Sequence, residues 1–165
     1  MKNLERFGAL FDLSGRVAVV TGAAQGNGMG IANALADAGA TVVATDLKFI
    51  DNDGPEQKLY SSIDRMIMDV TDEDNVKKVF AEIAAKYGHL DILCNNAGII
   101  YKDLVNNLNL DKFKKVMDVN VDGVVICTKN AVPYMKKNKW GRIVNISSSQ
   151  AFLTTETYSA YAASK

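Results

Sequence analysis

Three residues near the end of the chain have types and spacings that can do acid–base chemistry: Ser148, Tyr161 and Lys165. A helix beginning near Ser159 places Lys165 four residues after Tyr161, over the same helical face, so an ammonium lies beside a phenol. A free tyrosine ionises near pH 10 and is a poor proton donor or acceptor at neutral pH until a neighbouring cation favours the phenolate. Ser148 follows the apolar run Arg142–Ser147, which reads as a buried strand, and a hydroxyl at its end can hydrogen-bond a substrate oxygen. The combination points to proton exchange with an alcohol or carbonyl. A tyrosine and a lysine four apart are also common at an ordinary helix start, so the elements upstream have to decide. Tyr158 is a decoy, because four residues on stands Ala162 and no ammonium.

The next candidate is a glycine turn. Arg16–Thr21 is a short β-branched strand, Gly22-Ala-Ala-Gln-Gly26-Asn-Gly28 breaks it, and a helical pattern from Met29 to Ala38 follows, with Ile31, Ala34, Leu35 and Ala38 apolar and Gly39 as its stop. Backbone N–H groups at such a strand-to-helix junction can meet a pyrophosphate, and side chains would obstruct the approach. Thr41–Thr45 is a second strand, closed by Asp46, whose carboxylate can accept from both hydroxyls of an adenosine ribose and would repel a 2′-phosphate. Neither Gln25 nor Leu47 offers the arginine that would bind that phosphate, so the spacing predicts NAD rather than NADP. Three glycines can also form an ordinary tight turn, and Asp46 can be a plain strand-ending acid.

The remaining elements alternate. Leu47–Ser62 has turn chemistry at Asp51–Pro55 and no helical pattern. Ile63–Met68 reads as a third strand ending at Asp69, and Asp72 caps a helix to Tyr87 with Val76, Val79, Phe80, Ile83 and Ala84 on one face and Gly88 as its stop. Leu90–Cys94 is a fourth strand. Asn109 caps one long amphipathic helix with the row Phe113, Val116, Met117, Val121, Val124, Val125, Thr128, Val132 and Met135, and Asn120 on or beside it. Lys136, Lys137, Lys139 and Arg142 around Trp140 read as a solvated helix end that complements the dipole, not as a nucleic-acid patch. Strands alternating with helices at this spacing predict a parallel sheet covered on both faces, with ligands beyond the carboxyl ends of its strands.

Composition agrees with one α/β domain over residues 1–165. With 165 residues and 48% hydrophobic content the chain buries one core, and 19 basic against 19 acidic residues leave no field for nucleic acid or an acidic membrane. Cys94 and Cys127 are far apart in apolar surroundings, and His89 is the only histidine, which points to core filling rather than a metal or disulfide site. No stretch approaches the ~20 apolar residues of a membrane helix, and the mixed charges of Met1–Phe7 predict a soluble cytoplasmic protein.

Taken together, these residues resemble the classical short-chain dehydrogenase/reductase family. Thr21-Gly-Ala-Ala-Gln-Gly-Asn-Gly28 matches its T-G-x-x-x-G-x-G loop, Asn95-Asn-Ala-Gly98 its N-N-A-G strand end and Tyr161-Ala-Ala-Ser-Lys165 its Y-x-x-x-K, while Asn120 and Ser148 fall at its remaining catalytic positions. The resemblance spans about Leu13 to Lys165. It implies a Rossmann-type doubly wound sheet, with catalysis by Asn120, Ser148, Tyr161 and Lys165 and no metal. It further implies dinucleotide contacts at Thr21, Gly22, Gln25, Gly26, Asn27, Gly28, Asp46, Leu47, Asp69, Val70, Asn96, Ala97, Gly98, Tyr161 and Lys165, with Asp69 against the adenine. In the family the tyrosine exchanges the proton, the lysine lowers its pKa and binds the nicotinamide ribose, the serine steadies the reacting oxygen, and the asparagine holds a water in a proton relay. Hydride passes between the nicotinamide and the carbinol carbon.

The implied activity is NAD-dependent oxidation of a secondary alcohol or reduction of its ketone, with a sugar alcohol or sugar acid as candidate substrate. An NADPH-dependent 3-oxoacyl thioester reductase and a non-catalytic dinucleotide-binding protein are the alternatives. Family members run to roughly 250 residues, so the resemblance implies a chain that stops at the catalytic lysine, without the last two strands and the segment that shapes the substrate pocket. The expectation is an active, dimeric or tetrameric parent enzyme and an inactive 165-residue chain.

Overall fold

The short β-branched runs all enter one sheet. A computed structural model of the chain describes Gly8 and residues 10–49 and 59–165. Strands β1 (Val17–Thr21), β2 (Thr41–Asp46), β3 (Asp64–Ile67), β4 (Ile92–Asn95) and β5 (Arg142–Asn145) stand in the order β3-β2-β1-β4-β5. All four neighbouring pairs are parallel, in registers such as Val19 with Val43 and Leu93 with Ile143. The helices are α1 (Gly26–Asp37), α2 (Glu73–Tyr87), α3 (Leu110–Met117), α4 (Gly123–Lys137) and the short α5 (Ser159–Ser164). This is the doubly wound sheet that the alternation predicted.

Alternate residues of β1, β2 and β4 feed two separate cores, as the two-residue period of a strand requires. Ala18, Val20, Val42, Ala44, Ile92 and Cys94 pack under α1 with Met29 and Ala32, and Leu59 and Ile63 close that side. Val17, Val19, Val43 and Leu93 pack under α2 and α4 with Val76, Phe80, Ile83, Cys127 and Ala131. Burial pushes the Cys127 thiol up to about 12 and the Cys94 thiol up as well, so both cysteines fill space and are poor nucleophiles. Phe80 is the largest of the fully buried side chains. Phe80→Ala is expected to cost about 3–5 kcal/mol, from lost transfer energy and the cavity left behind, read as a lowered urea midpoint at unchanged slope.

Helix α2 follows its sequence signals: Asp72 accepts from Asp74 N and Asn75 N, and Gly88 ends it in a left-handed conformation. Helix α1 starts at Gly26, three residues ahead of the predicted Met29, and its buried face is Gly28, Met29 and Ala32, while Ala34 is exposed. Gln25 makes no side-chain cap there, so no capping signal marked the true start.

The single long helix predicted from Asn109 to Met135 is corrected. Asn109 does cap its beginning, but one π-helical turn, Asp118–Asp122, separates α3 from α4. The extra residue moves the helix phase, so the fully buried row is Val116, Asn120, Gly123, Cys127, Ala131 and Met135, and Val125 faces outward. Small residues in that row let α4 lie close to its neighbours; a Cβ on Gly123 would come within 2.8 Å of Val70 Cγ2.

The run Arg142–Ser147, read as a buried strand, is strand only as far as Asn145, and among the described residues β5 pairs with β4 and is exposed. At the amino ends of β1 and β5, the Arg16 guanidinium lies 3.8 Å from the centre of the Trp140 ring and that of Arg142 4.8 Å, so Trp140 is held by two cations rather than merely solvated. Nearby, buried Asp91 accepts from Val17 N at 3.0 Å and lies 2.6 Å from His89 Nδ1. The turn expected at Asp51–Pro55 and the charges of Met1–Phe7 lie outside the described residues. Among the described residues no helix is long and apolar enough to cross a membrane.

Candidate active site

The strand order reverses between β1 and β4, and a crevice opens where their carboxyl ends diverge. A cleft of about 430 Å³ occupies that place. Of the predicted dinucleotide positions, Gly22, Gln25, Gly26, Asn27, Gly28, Asp46, Leu47, Asp69, Val70, Asn96, Ala97 and Gly98 all line it. Met68 just after β3, Ile99 in the loop after β4 and Val119 in the π-helical turn line it as well, and an apolar residue in such places carries no mark of its role in sequence.

Thr21, Tyr161 and Lys165 do not line the cleft. Thr21 is buried behind it, where its Oγ1 accepts from Asn96 N at 3.1 Å and Ala97 N at 3.0 Å and donates to Cys94 O at 3.4 Å. Asn96 answers from the other strand, its Nδ2 donating to Thr21 O at 3.0 Å and Gly22 O at 2.9 Å. The glycine loop and the Asn95–Gly98 segment are thus laced together, which holds the two walls of the cleft at fixed distance. Asn95 ties the same region sideways, its Nδ2 donating to Thr128 Oγ1 and Asn145 Oδ1.

The two acids at the strand ends differ. Asp46 Oδ2 accepts from Ala24 N at 3.0 Å and Oδ1 from Leu47 N at 2.8 Å, so this carboxylate steadies the glycine loop from the next strand. Asp69 Oδ1 accepts from Thr71 N at 2.9 Å and Thr71 Oγ1 at 2.7 Å. Burial opposes its ionisation, but these bonds and the Lys115 charge outweigh it and leave the carboxyl below the usual aspartate range.

The proton-transfer candidates gather beyond β4 and β5. Ser148 opens a 3₁₀ turn, and its Oγ accepts from Gln150 N at 3.2 Å, with no acceptor for its proton among the described residues. Tyr161 sits in α5, its ring edge-on to Tyr158 at 6.3 Å and 65°, and its hydroxyl has no hydrogen-bond partner among the described residues. Lys165 Nζ lies 5.8 Å from the centre of the Tyr161 ring and donates to Ile146 O at 2.8 Å. Partial burial holds this ammonium below the usual lysine pKa. The ammonium thus lies over the Tyr161 ring and is hydrogen-bonded to a backbone carbonyl rather than to the phenol oxygen. Tyr158 also has a cation, since Lys102 Nζ lies 4.7 Å from its ring centre; that lysine is distant in sequence and gave no local signal.

Asn120 is buried at the π-helical turn. Its side chain pairs both ways with the Ile99 backbone, accepting at 2.8 Å and donating at 3.0 Å, and also donates to Ser164 Oγ at 2.8 Å. Its amide is thus fully engaged by protein groups. Among the described residues no group of three or more His, Cys, Asp or Glu could hold a metal ion.

Residues 16–165 match the short chain dehydrogenase family. A 3-oxoacyl-[acyl-carrier-protein] reductase of Thermotoga maritima is 37% identical over 156 residues, 93% of this chain and 63% of that protein. A 2-dehydro-3-deoxy-D-gluconate 5-dehydrogenase of Formosa agariphila is 34% identical over 166 residues, 94% of this chain and 61% of that protein. Among solved structures, a gluconate 5-dehydrogenase from Burkholderia cenocepacia in complex with NADP and tartrate superposes with a TM-score of 0.83 at 33% identity, covering 94% of this chain and 62% of that one. The chain therefore spans about three fifths of the length of these relatives.

Proposed function

Because the chain belongs to the short-chain dehydrogenase family, we propose that it forms the dinucleotide-binding and proton-transferring part of an NAD-dependent oxidoreductase for a secondary alcohol or its ketone. The observation that carries this reading is the junction at Gly98. This residue lines the cleft, and the position its Cβ would take lies 3.6 Å from Lys165 Nζ, so the dinucleotide wall and the proton-transferring groups adjoin.

The residues fit a dinucleotide. Nothing lies within 4 Å of a Cβ built on Gly26, which leaves an open approach for a phosphate at the start of α1, where unpaired N–H groups and the helix dipole favour an anion. Asp46 would turn toward the adenosine ribose and Asp69 toward the adenine, while Gly98, Tyr161 and Lys165 would face the nicotinamide end. The nicotinamide supplies or takes the hydride when bound.

The chain's own residues supply the rest. Tyr161 presents a free hydroxyl to the substrate oxygen and exchanges its proton with it. The Lys165 ammonium stabilises negative charge on that phenol. Ser148 donates its free proton to the same substrate oxygen and fixes its position. Asn120 holds the Ile99 segment at the cleft wall. We further propose that residues 1–165 act as one domain and that the full protein is a homodimer or homotetramer. The exposed Leu110 and Val125 on the α3–α4 surface support association there.

The substrate is proposed to be a sugar alcohol or sugar acid, by likeness to the two gluconate-type relatives. The Thermotoga relative supports a second reading, reduction of a 3-oxoacyl thioester with NADPH, and the NADP complex of the Burkholderia enzyme keeps that cofactor in play. Asp46 favours NAD, since a carboxylate facing a 2′-phosphate is a like-charge contact. Quenching of protein fluorescence is expected to show NADH bound roughly tenfold or more tighter than NADPH. Asp46→Asn, which keeps an acceptor for Ala24 N–H and loses the charge, should narrow that gap. Equal affinities in the unaltered protein would remove the NAD preference. Following NADH absorbance with gluconate-type ketones against 3-oxoacyl thioesters decides between the substrate classes, and turnover of neither would leave a binding role.

A further inference from the structure

The Asn120 side chain makes one contact that its pairing with Ile99 does not need: Nδ2 donates to Ser164 Oγ at 2.8 Å. Ser164 in turn donates to the carbonyl of Tyr161 at 2.8 Å. That carbonyl is a turn back along α5, and it is not taken by the N–H of Lys165, which goes to Ala162 O at 3.2 Å. One hydroxyl therefore links the π-helical turn to the backbone of the proton-exchanging tyrosine. It sits between Tyr161 and Lys165 in the chain, next to the residue whose Nζ must reach both Ile146 O and the cleft wall at Gly98.

Among the described residues, the side chains of Ser164 at the end of α5 and of the following Lys165 are the ones that tie this turn to other elements by hydrogen bonds. We propose that Ser164 is a positioning residue of the active site: its hydroxyl fastens the Tyr161–Lys165 turn to Asn120 and so sets where the phenol and the ammonium stand relative to the cleft. The inference rests on the redox reading above. The single proton of Ser164 is committed to a carbonyl, so the residue transmits no proton itself.

The test compares Ser164→Ala with Ser164→Thr, which keeps the hydroxyl. In protein carrying ¹³C-labelled lysine, Ser164→Ala is expected to move the Lys165 side-chain titration up toward that of an exposed lysine, because the released turn lets Nζ drift into water. In the enzyme it should lower kcat roughly tenfold, the rate equivalent of a hydrogen bond, and displace the pH profile of kcat. Ser164→Thr should restore all three. A lowered melting temperature with the Lys165 titration and the pH profile unmoved overturns the proposal, since that is what a merely structural serine would give. Should Ser164→Ala fail to fold, Ser164→Cys, a weaker donor of similar size, takes its place. The titration needs no turnover, so it reports on Ser164 even if the redox reading fails.

Discussion

Replacing Tyr161 with phenylalanine is expected to reduce turnover of the enzyme roughly a thousandfold, within the usual contribution of a positioned acid or base, while leaving the fold and dinucleotide binding intact. The structure makes this a clean substitution. The Tyr161 hydroxyl has no hydrogen-bond partner among the described residues, so its removal strands no buried group. The ring keeps its edge-on contact with Tyr158. Tyr161 does not line the described cleft, so the affinity for NADH should stay within about a factor of two, well below the tenfold of 1.4 kcal/mol. The experiment is a steady-state assay of alcohol oxidation alongside NADH titration. Unchanged turnover would end the assignment of Tyr161 as the proton-exchanging group. Reduced turnover with equally reduced NADH affinity would show instead that the hydroxyl acts by holding the dinucleotide.

The second large effect is expected at the glycine loop. A Cβ on Gly28 would lie 2.2 Å from Gly22 O and 2.4 Å from Asn96 Nδ2, far inside contact distance. Gly22 cannot retreat, since it has a φ of +64° and its own Cβ position is 2.7 Å from Ala97 Cα. Gly28→Ala therefore has to push Asn96 away and break its bonds to Thr21 O and Gly22 O. Strain of this kind costs about 1–3 kcal/mol, and each lost hydrogen bond about 1 more. The loop that would receive the pyrophosphate is displaced with it, so NADH affinity is expected to fall roughly a hundredfold, with a melting temperature lower by several degrees. Gly30→Ala is the control, because nothing lies within 4 Å of a Cβ there and alanine is the better helix former. If the two variants bind NADH alike, the close packing of Gly28 has no functional weight.

Ser164 shows what kind of information the linear chain withholds. Its place in Tyr161-Ala-Ala-Ser-Lys165 is plain in sequence, but a serine there could equally face solvent. Only the approach of Asn120, forty-four positions earlier, gives its hydroxyl a partner in another element. Thr21 is the converse: the glycine-loop pattern placed it among the dinucleotide contacts, whereas packing turned it inward to tie two strand ends together.

The alternation of strands and helices, the glycine junction after β1, the acid that closes β2 and the one that follows β3, and the four-residue step from Tyr161 to Lys165 were already legible along the chain. All of these are local: they depend on periodicity, on residues that begin or break an element, and on spacing along one helix face. The tertiary structure alone decided the order β3-β2-β1-β4-β5, which brings the Gly22 loop and Asn95–Gly98 face to face, and the π-helical turn that carries Asn120 inward. It also decided that Ser164 meets Asn120. Each of those rests on contacts between residues tens of positions apart, where packing and hydrogen-bond satisfaction outweigh the small preferences of any short segment.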